Sequence, residues 1–243
     1  MIYGLISDIH GNLEAFEVVL AELKGVDAFL CLGDIVGYGP DPGACVDRTR
    51  ELPNLTCVVG NHDLAAIGEY DLSWFNPYAR RAIEWTAERL APDQRRFLSS
   101  LRPTAVVGEV TLVHGSLASP MAYITGKQEA LECFRVMAGS LCFVGHTHIA
   151  EHYRNRGRTE ACDQTSLWGG GSIALEPGLR YIINPGAIGQ PRDGNPAASF
   201  GTYDSEAGTI EVRRVPYDVG AVQEKMRAAG LPAYLAMRLS QGR

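Results

Sequence analysis

A chain of 243 residues, 46% apolar and 21% charged, can bury a large core and fits one α/β domain spanning 1–243. Its net charge of −6, without a Lys/Arg cluster, argues against nonspecific nucleic-acid binding, which relies on neutralising many phosphates. No run approaches the ~18 apolar residues of a membrane span, and Met1 to Ser7 enters the first motif with no basic leader, so a cytoplasmic protein without membrane partners is expected.

Ile2 to Ser7 is predicted as the first strand, followed by Asp8-Ile9-His10-Gly11. Asn12 suits a helix N-cap, and Leu13, Phe16, Leu20 and Leu23 recur at helical spacing. Ala28 to Leu32 is a second buried strand ending in Gly33-Asp34. Strand, helix and strand in about 30 residues make a βαβ unit, so both strands should run parallel and deliver an aspartate to one edge. The turn-rich Gly37 to Pro42 precedes a short helix through Ala44, Cys45 and Val46. Leu55 to Val59 reads as a third buried strand, leading into a loop, Gly60-Asn61-His62-Asp63.

Asn76 and Pro77 form an N-cap/N1 pair for a helix with Ala79, Ala82, Ile83, Thr86 and Leu90 on one face, and Pro92 opens another. Thr104 to Val107 and Val110 to Val113 form a hairpin ending at His114, and Lys127 to Ala138 is helical. Leu141 to Val144 is a strand ending in Gly145-His146-Thr147-His148. Arg154 to Ser172, polar and Gly-rich, reads as a long loop or mobile flap, a lid or a subunit contact. Arg180 to Ile183, Phe200 to Tyr203 and Thr209 to Val215 are strands, and a terminal helix from Asp218 breaks near Gly230-Leu231-Pro232. The six cysteines show no CxxC spacing and read as reduced core thiols.

Five of the six histidines fall at these strand ends. Asp8 and His10 stand two apart, as do His146 and His148; in extended chain each pair points one way and serves one centre. Carboxylates, imidazoles and an amide oxygen, without thiolates, suit a divalent ion in a site that is not structural zinc. Seven candidate ligands, Asp8, His10, Asp34, Asn61, His114, His146 and His148, are too many for one ion and fit two if a carboxylate bridges.

Asp8-Ile9-His10, Gly33-Asp34, Gly60-Asn61-His62-Asp63, His114 and Gly145-His146-Thr147-His148 resemble the five ordered motifs of the calcineurin-like metallophosphoesterase superfamily. Each alone is weak; five in order over residues 1 to about 150 are specific. The resemblance implies a two-layer mixed β-sandwich flanked by helices. It further implies two divalent ions, Mn²⁺ first, with Fe, Zn, Co and Ni as alternatives. Asp8, His10, Asp34 and His148 would hold one ion, and Asp34, Asn61, His114 and His146 the other, with Asp34 bridging. Such a pair, ~3.5–4 Å apart, activates a water for in-line attack on a phosphoester. His62, outside both sets, would be the catalytic residue, as general acid or as a clamp on the phosphoryl group. Asp63 would orient it or cap the following helix.

In the phosphoprotein-phosphatase branch the second motif reads GDxVDRG. Here it reads Gly33-Asp34-Ile35-Val36-Gly37-Tyr38-Gly39, with Gly37 and Tyr38 replacing the supporting carboxylate and the phosphate-gripping arginine. That argues against protein phosphatase and symmetrical dinucleoside tetraphosphatase activity. The Gly-Tyr-Gly-Pro-Asp-Pro form and Asn184 to Arg192 resemble small single-domain bacterial and archaeal members, among them phosphodiesterases of loose specificity and diadenosine tetraphosphate hydrolases. The expected substrate is a small phosphate-bearing molecule, a phosphodiester or nucleotide. A phosphomonoester, or a non-catalytic scaffold, is the alternative, and an oligomer is compatible with the sequence.

Substrate-binding candidates are Asn61, His62, Tyr38 and Arg192. Tyr38 is either a stacking wall or a packed loop residue. An arginine in a turn-rich loop, as Arg192 is, is more often solvated. His152 reads as structural, Asn76 as a cap, and Trp74 and Phe75 as rim or core aromatics.

Overall fold

The computed structural model describes residues 1–157 and 160–243. Its first part alternates strand and helix: β1 (Ile2–Ile6), α1 (Leu13–Glu22), β2 (Ala28–Cys31), α2 (Pro42–Arg50), β3 (Leu55–Cys57) and α3 (Asn61–Ala66). Helices α4 (Pro77–Ala87) and α5 (Pro92–Ser100) follow, then the hairpin β4 (Thr104–Val107) and β5 (Val110–Val113), then α6 (Lys127–Val136) and β6 (Leu141–Phe143). The remainder is β7 (Ala150–Arg156), β8 (Cys162–Ser166), β9 (Gly171–Ala174), β10 (Leu179–Pro185), β11 (Ala198–Asp204), β12 (Thr209–Val215), α7 (Val219–Ala228) and α8 (Ala233–Leu239).

The strands form two six-stranded mixed sheets, β3-β2-β1-β11-β12-β9 and β4-β5-β6-β10-β7-β8. Alternation along the strands sets the layers. Leu5, Leu30, Phe143 and Ile183 point between the sheets with Tyr203 and Val212. Their neighbours Ile6 and Cys31 turn outward against Phe16 and Val19 of α1, and Cys142 and Ile182 against Ala130 and Phe134 of α6. Because both faces are buried, these strands read as unbroken apolar runs. The architecture is the expected helix-flanked β-sandwich.

β1, β2 and β3 pair in parallel, as do β5 and β6. The loops after them therefore emerge at common sheet edges, where ligands can be gathered. Caps fix the helix starts: Asn12 Oδ1 accepts from Ala15 N at 3.1 Å, and Asn76 Oδ1 from Tyr78 N and Ala79 N ahead of Pro77. No helix among the described residues is long and apolar enough to cross a membrane.

Three expectations are corrected. The stretch from Arg154 to Ser172 is not a loop or flap, apart from residues 158–159, which lie outside the described residues. It holds the end of β7, β8 and the start of β9. β8 is an edge strand pairing only with β7, and four of its five residues are exposed, so its polarity is that of an edge rather than a loop. Leu55 to Val59 is not a fully buried strand: β3 is a half-buried edge of three residues, and burial resumes at Val58. Asn61, His62 and Asp63 are not in a loop but form the first turn of α3, with Gly60 as N-cap.

Candidate metal centre

Asp8, His10, Asp34, His146 and His148 all adopt left-handed backbone, with φ of 53°, 50°, 54°, 68° and 61°. Of seven described non-glycine residues with positive φ, these are five and Tyr38 (φ 59°) is a sixth. The DxH and HxH pairs therefore converge by alternating left-handed turns, not by extended chain as the spacing suggested. Each such residue costs about 1–3 kcal/mol and persists only where its surroundings enforce it. Here the loops brace one another: Asp8 N donates to Gly33 O and His10 N to Asp34 O, both at 3.0 Å. Gly60 permits the close approach, since a Cβ there would lie 2.0 Å from Asp34 Oδ1.

Two overlapping groups result: Asp8, His10, Asp34 and His148, and Asp34, His114 and His146, with ligand atoms in each within 4.8 Å of one another. Asp8, His10, Asp34, His114 and His148 are at most 1% exposed. Three imidazoles are anchored through Nδ1, which donates to a backbone carbonyl: His10 to Val36 O at 3.0 Å, His114 to Leu32 O at 2.7 Å and His148 to Gln190 O at 2.6 Å. Each then turns Nε2 inward. His10 Nε2 and His148 Nε2 face each other at 3.0 Å. Burial holds both pKa values well below the ordinary imidazole value, so two lone pairs are opposed, an arrangement that suits a shared cation. His114 Nε2 lies 3.0 Å from His146 Nδ1.

Asp34 joins the groups. Its Oδ1 accepts from His62 N at 2.9 Å. Its Oδ2 is buried without a hydrogen-bond partner, 3.6 Å from His10 Nε2 and 3.3 Å from His114 Nε2. Burial opposes its ionisation, but the surrounding imidazoles, His114 first, hold its pKa well below the usual carboxylate range. Burial likewise pulls His114 down, yet the Asp34 carboxylate outweighs it and raises His114 to about 10. Asn61 Oδ1 and His146 Nε2 are also buried and unpartnered. Asp8 Oδ2 accepts from Ser7 Oγ and His146 N, while Oδ1 lies 3.2 Å from His148 Nε2. Buried acceptors left without donors are costly, and this donor set of carboxylate, imidazole and amide oxygen fits divalent cations.

His62 stands outside both groups, 4.8 Å from the His10 ring, 4.4 Å from Tyr38 and 4.9 Å from Phe75 between centroids. Burial lowers its pKa to about 4. Gly37 matters here: a Cβ would lie 2.4 Å from His62 Nδ1, so no side chain fits where the related branch has a carboxylate. Asp63 does not orient His62. Its carboxylate accepts from Asp34 N, Val36 N and Gly60 N at 2.8, 3.1 and 3.1 Å, tying α3 to the loop after β2. Burial and Asp34 push it up to about 7.

Tyr38 is buried between the site and the apolar cluster that α8 shares, so it is both wall and packed residue. Arg192 is part-buried and hydrogen-bonded rather than simply solvated. Its Nη2 donates to Tyr38 Oη and Gln190 Oε1, each at 3.2 Å, and its Nε is buried. All ten sequence-derived site residues thus gather at one edge of the sandwich. His152 lies on β7, away from both groups. Asn184, next to last in β10, donates to Gly145 O and Thr147 Oγ1, bracing the HxH turn. Sequence reasoning missed Tyr123, stacked on His146 at 3.8 Å with an interplanar angle of 10°. A cleft of about 480 Å³ opens beside His62, Asn61 and His146, walled by Tyr38, Tyr70, Phe75, Tyr123 and Trp74, which is 79% exposed.

The profile of the calcineurin-like phosphoesterase superfamily domain matches residues 1–208. The chain belongs to this family. A solved metallophosphoesterase from Sphaerobacter thermophilus is 41% identical, with a TM-score of 0.91 over 100% of this phosphoesterase and 99% of that chain. An uncharacterized protein of Methanocaldococcus jannaschii is 38% identical over 249 residues, 99% of this chain and 98% of its own. A symmetrical bis(5'-nucleosyl)-tetraphosphatase of Acidovorax sp. is 31% identical over 157 residues, 56% of this phosphoesterase and 53% of its own length.

Proposed function

We propose that this phosphoesterase works with two divalent ions, Mn²⁺ foremost, and hydrolyses a phosphodiester or nucleotide. Asp8, His10, Asp34 and His148 hold one ion; Asp34, Asn61, His114 and His146 hold the other. The observation that carries this reading is the buried, unpartnered Asp34 Oδ2 poised between the imidazoles of both groups. When bound, the ions supply Lewis acidity toward phosphoryl oxygens and a water activated at neutral pH.

The chain's own residues do the rest. Gly60 and Asp63 hold the Asp34 loop in its strained form. His62 donates a hydrogen bond to the phosphoryl group or leaving oxygen. Arg192, anchored on Tyr38, offers positive charge to the substrate phosphate. The aromatic walls of the cleft suit the apolar part of an ester, such as a nucleobase. The tetraphosphatase resemblance, over about half of the chain, supports a dinucleoside polyphosphate as a second substrate reading.

With Mn²⁺, bis(4-nitrophenyl) phosphate should be hydrolysed, faster than 4-nitrophenyl phosphate in a parallel assay. Chelation should abolish turnover while circular dichroism keeps most of its helix and strand signal. Turnover that survives exhaustive chelation, or none with any divalent ion from folded protein, would overturn the reading.

A further inference from the structure

The cleft beside the metal-ligand groups lies between two connecting segments. Residues 67–76, joining α3 to α4, bring Tyr70, Trp74 and Phe75 to it, and residues 114–126, joining β5 to α6, bring Ser119 and Tyr123. Exposure orders its lining. His62 and His146, each 4% exposed, close the inner end; Tyr123 is 47% exposed, and Trp74, at 79%, stands at the mouth.

A fixed frame holds both outer aromatics. Trp74 ends a single 3₁₀ turn, Leu72–Trp74, capped by Asp71, whose carboxylate accepts from Ser73 N at 2.8 Å and Ser73 Oγ at 2.7 Å. Leu72 and Phe75 on either side pack against the core, so the indole between them is presented to solvent. The loop that carries Tyr123 folds back on itself, with Ala122 N bonded to Ser119 O, and a Cβ at Gly115 would lie 2.4 Å from Ala122 O. An indole kept in water by an ordered frame leaves apolar surface that a ligand can cover.

No lysine, arginine, aspartate or glutamate among the described residues lines this cleft. Its aromatic lining begins at the inner imidazoles: Tyr123 stacks on His146 at 3.8 Å, and Phe75 meets His62 at 4.9 Å between centroids. A second phosphate entering the cleft beside the one attacked would meet rings and no cation, and burying such a charge unpaired is costly. A planar, uncharged ring would meet stacking surfaces instead.

We propose that Trp74 is a specificity-determining residue that, with Tyr123, holds a nucleobase whose nucleoside is joined through oxygen directly to the scissile phosphorus. The inference rests on the phosphoesterase reading and narrows it to the bond that is cut. In a dinucleoside tetraphosphate that bond lies at an outer phosphate. The oxygen of water bonds to the α-phosphorus, and the bond from that phosphorus to the α,β-bridging oxygen breaks. The nucleoside triphosphate leaves with the electron pair, and the protons of the water pass to solvent. The products are a nucleoside monophosphate and a nucleoside triphosphate, not two diphosphates.

Calorimetry on Mn²⁺-loaded protein reads the subsite without turnover. AMP should bind about fivefold to a hundredfold more tightly than ribose 5-phosphate; Trp74→Leu should erase that preference and Trp74→Phe should keep part of it. Melting curves should show both variants folded, since the side chain they replace is mostly in solvent. Trp74→Leu should also lower kcat/KM for thymidine 5'-(4-nitrophenyl) phosphate by about the same factor more than for methyl 4-nitrophenyl phosphate. Diadenosine tetraphosphate should yield AMP and ATP in equal amounts. An AMP preference that is unchanged in Trp74→Leu, or ADP as the product of the tetraphosphate, would overturn the proposal. Diester hydrolysis by a wild type without the preference would leave the phosphoesterase reading standing and remove the base subsite. If wild type hydrolyses no ester but shows the preference and Trp74→Leu loses it, the subsite stands and the hydrolase reading falls.

Discussion

Asp34→Asn should fold, lose both proposed ions together and cut kcat/KM by about 10³-fold or more, because a single side chain serves both ligand groups. Asparagine is the informative replacement. It tolerates the left-handed backbone that position 34 requires (φ 54°), where alanine would add strain. Its amide oxygen can keep accepting from His62 N, which directs the NH₂ group to the place of Oδ2, facing His10 and His114. A donor then points where a cation should sit. Metal analysis after desalting, beside a melting curve, is the check. One ion retained would show that Asp34 is not shared, and two retained with normal turnover would remove it from the centre. His114 should respond as well: its pKa, held up near 10 chiefly by the Asp34 carboxylate against burial, should fall in the metal-free variant, as followed by NMR titration.

His62→Ala should retain both ions and lower kcat by about 10²- to 10⁴-fold. The imidazole belongs to neither ligand group, and its surroundings, Gly37, Tyr38 and Phe75, position it without anchoring Nδ1. Burial lowers its pKa to about 4, which favours a neutral ring that donates a hydrogen bond over one that delivers a proton. The loss should then be similar for 4-nitrophenyl and alkyl leaving groups, as expected of a clamp on the phosphoryl oxygens. A loss tenfold or more greater for the alkyl ester would reassign His62 as the general acid. Unchanged turnover would exclude it from the chemistry.

Much of this site can be read from the sequence because its ligands stand at strand ends, and strands announce themselves by apolar runs bounded by glycine. Asp8, Asp34, Asn61, His114 and His146 each follow such a run within a few residues. Their backbone conformation cannot be read the same way. A two-residue spacing fits extended chain and paired left-handed turns alike, and hydrogen bonds between loops, such as His10 N to Asp34 O, choose the second. β8 hid for a different reason: on an edge with solvent at one side, a strand needs little apolar sequence. Tyr123 had no local signal at all. It reaches His146 only because the loop after β5 turns back, with Gly115 N bonded to Pro120 O.

The ligands divide between the two sheets. Asp8, His10, Asp34 and Asn61 follow strands of the first; His114, His146 and His148 follow strands of the second. Each proposed ion therefore takes ligands from both layers, and neither layer alone supplies the full set for either. An ion that binds only the assembled sandwich stabilises it by about 2.7 kcal/mol at a hundredfold excess over its dissociation constant. The ions then act as rivets between layers as well as reagents. In a cell, where the small unfolded fraction is continually removed by proteases, scarcity of the metal would lower the amount of this protein and not merely its turnover.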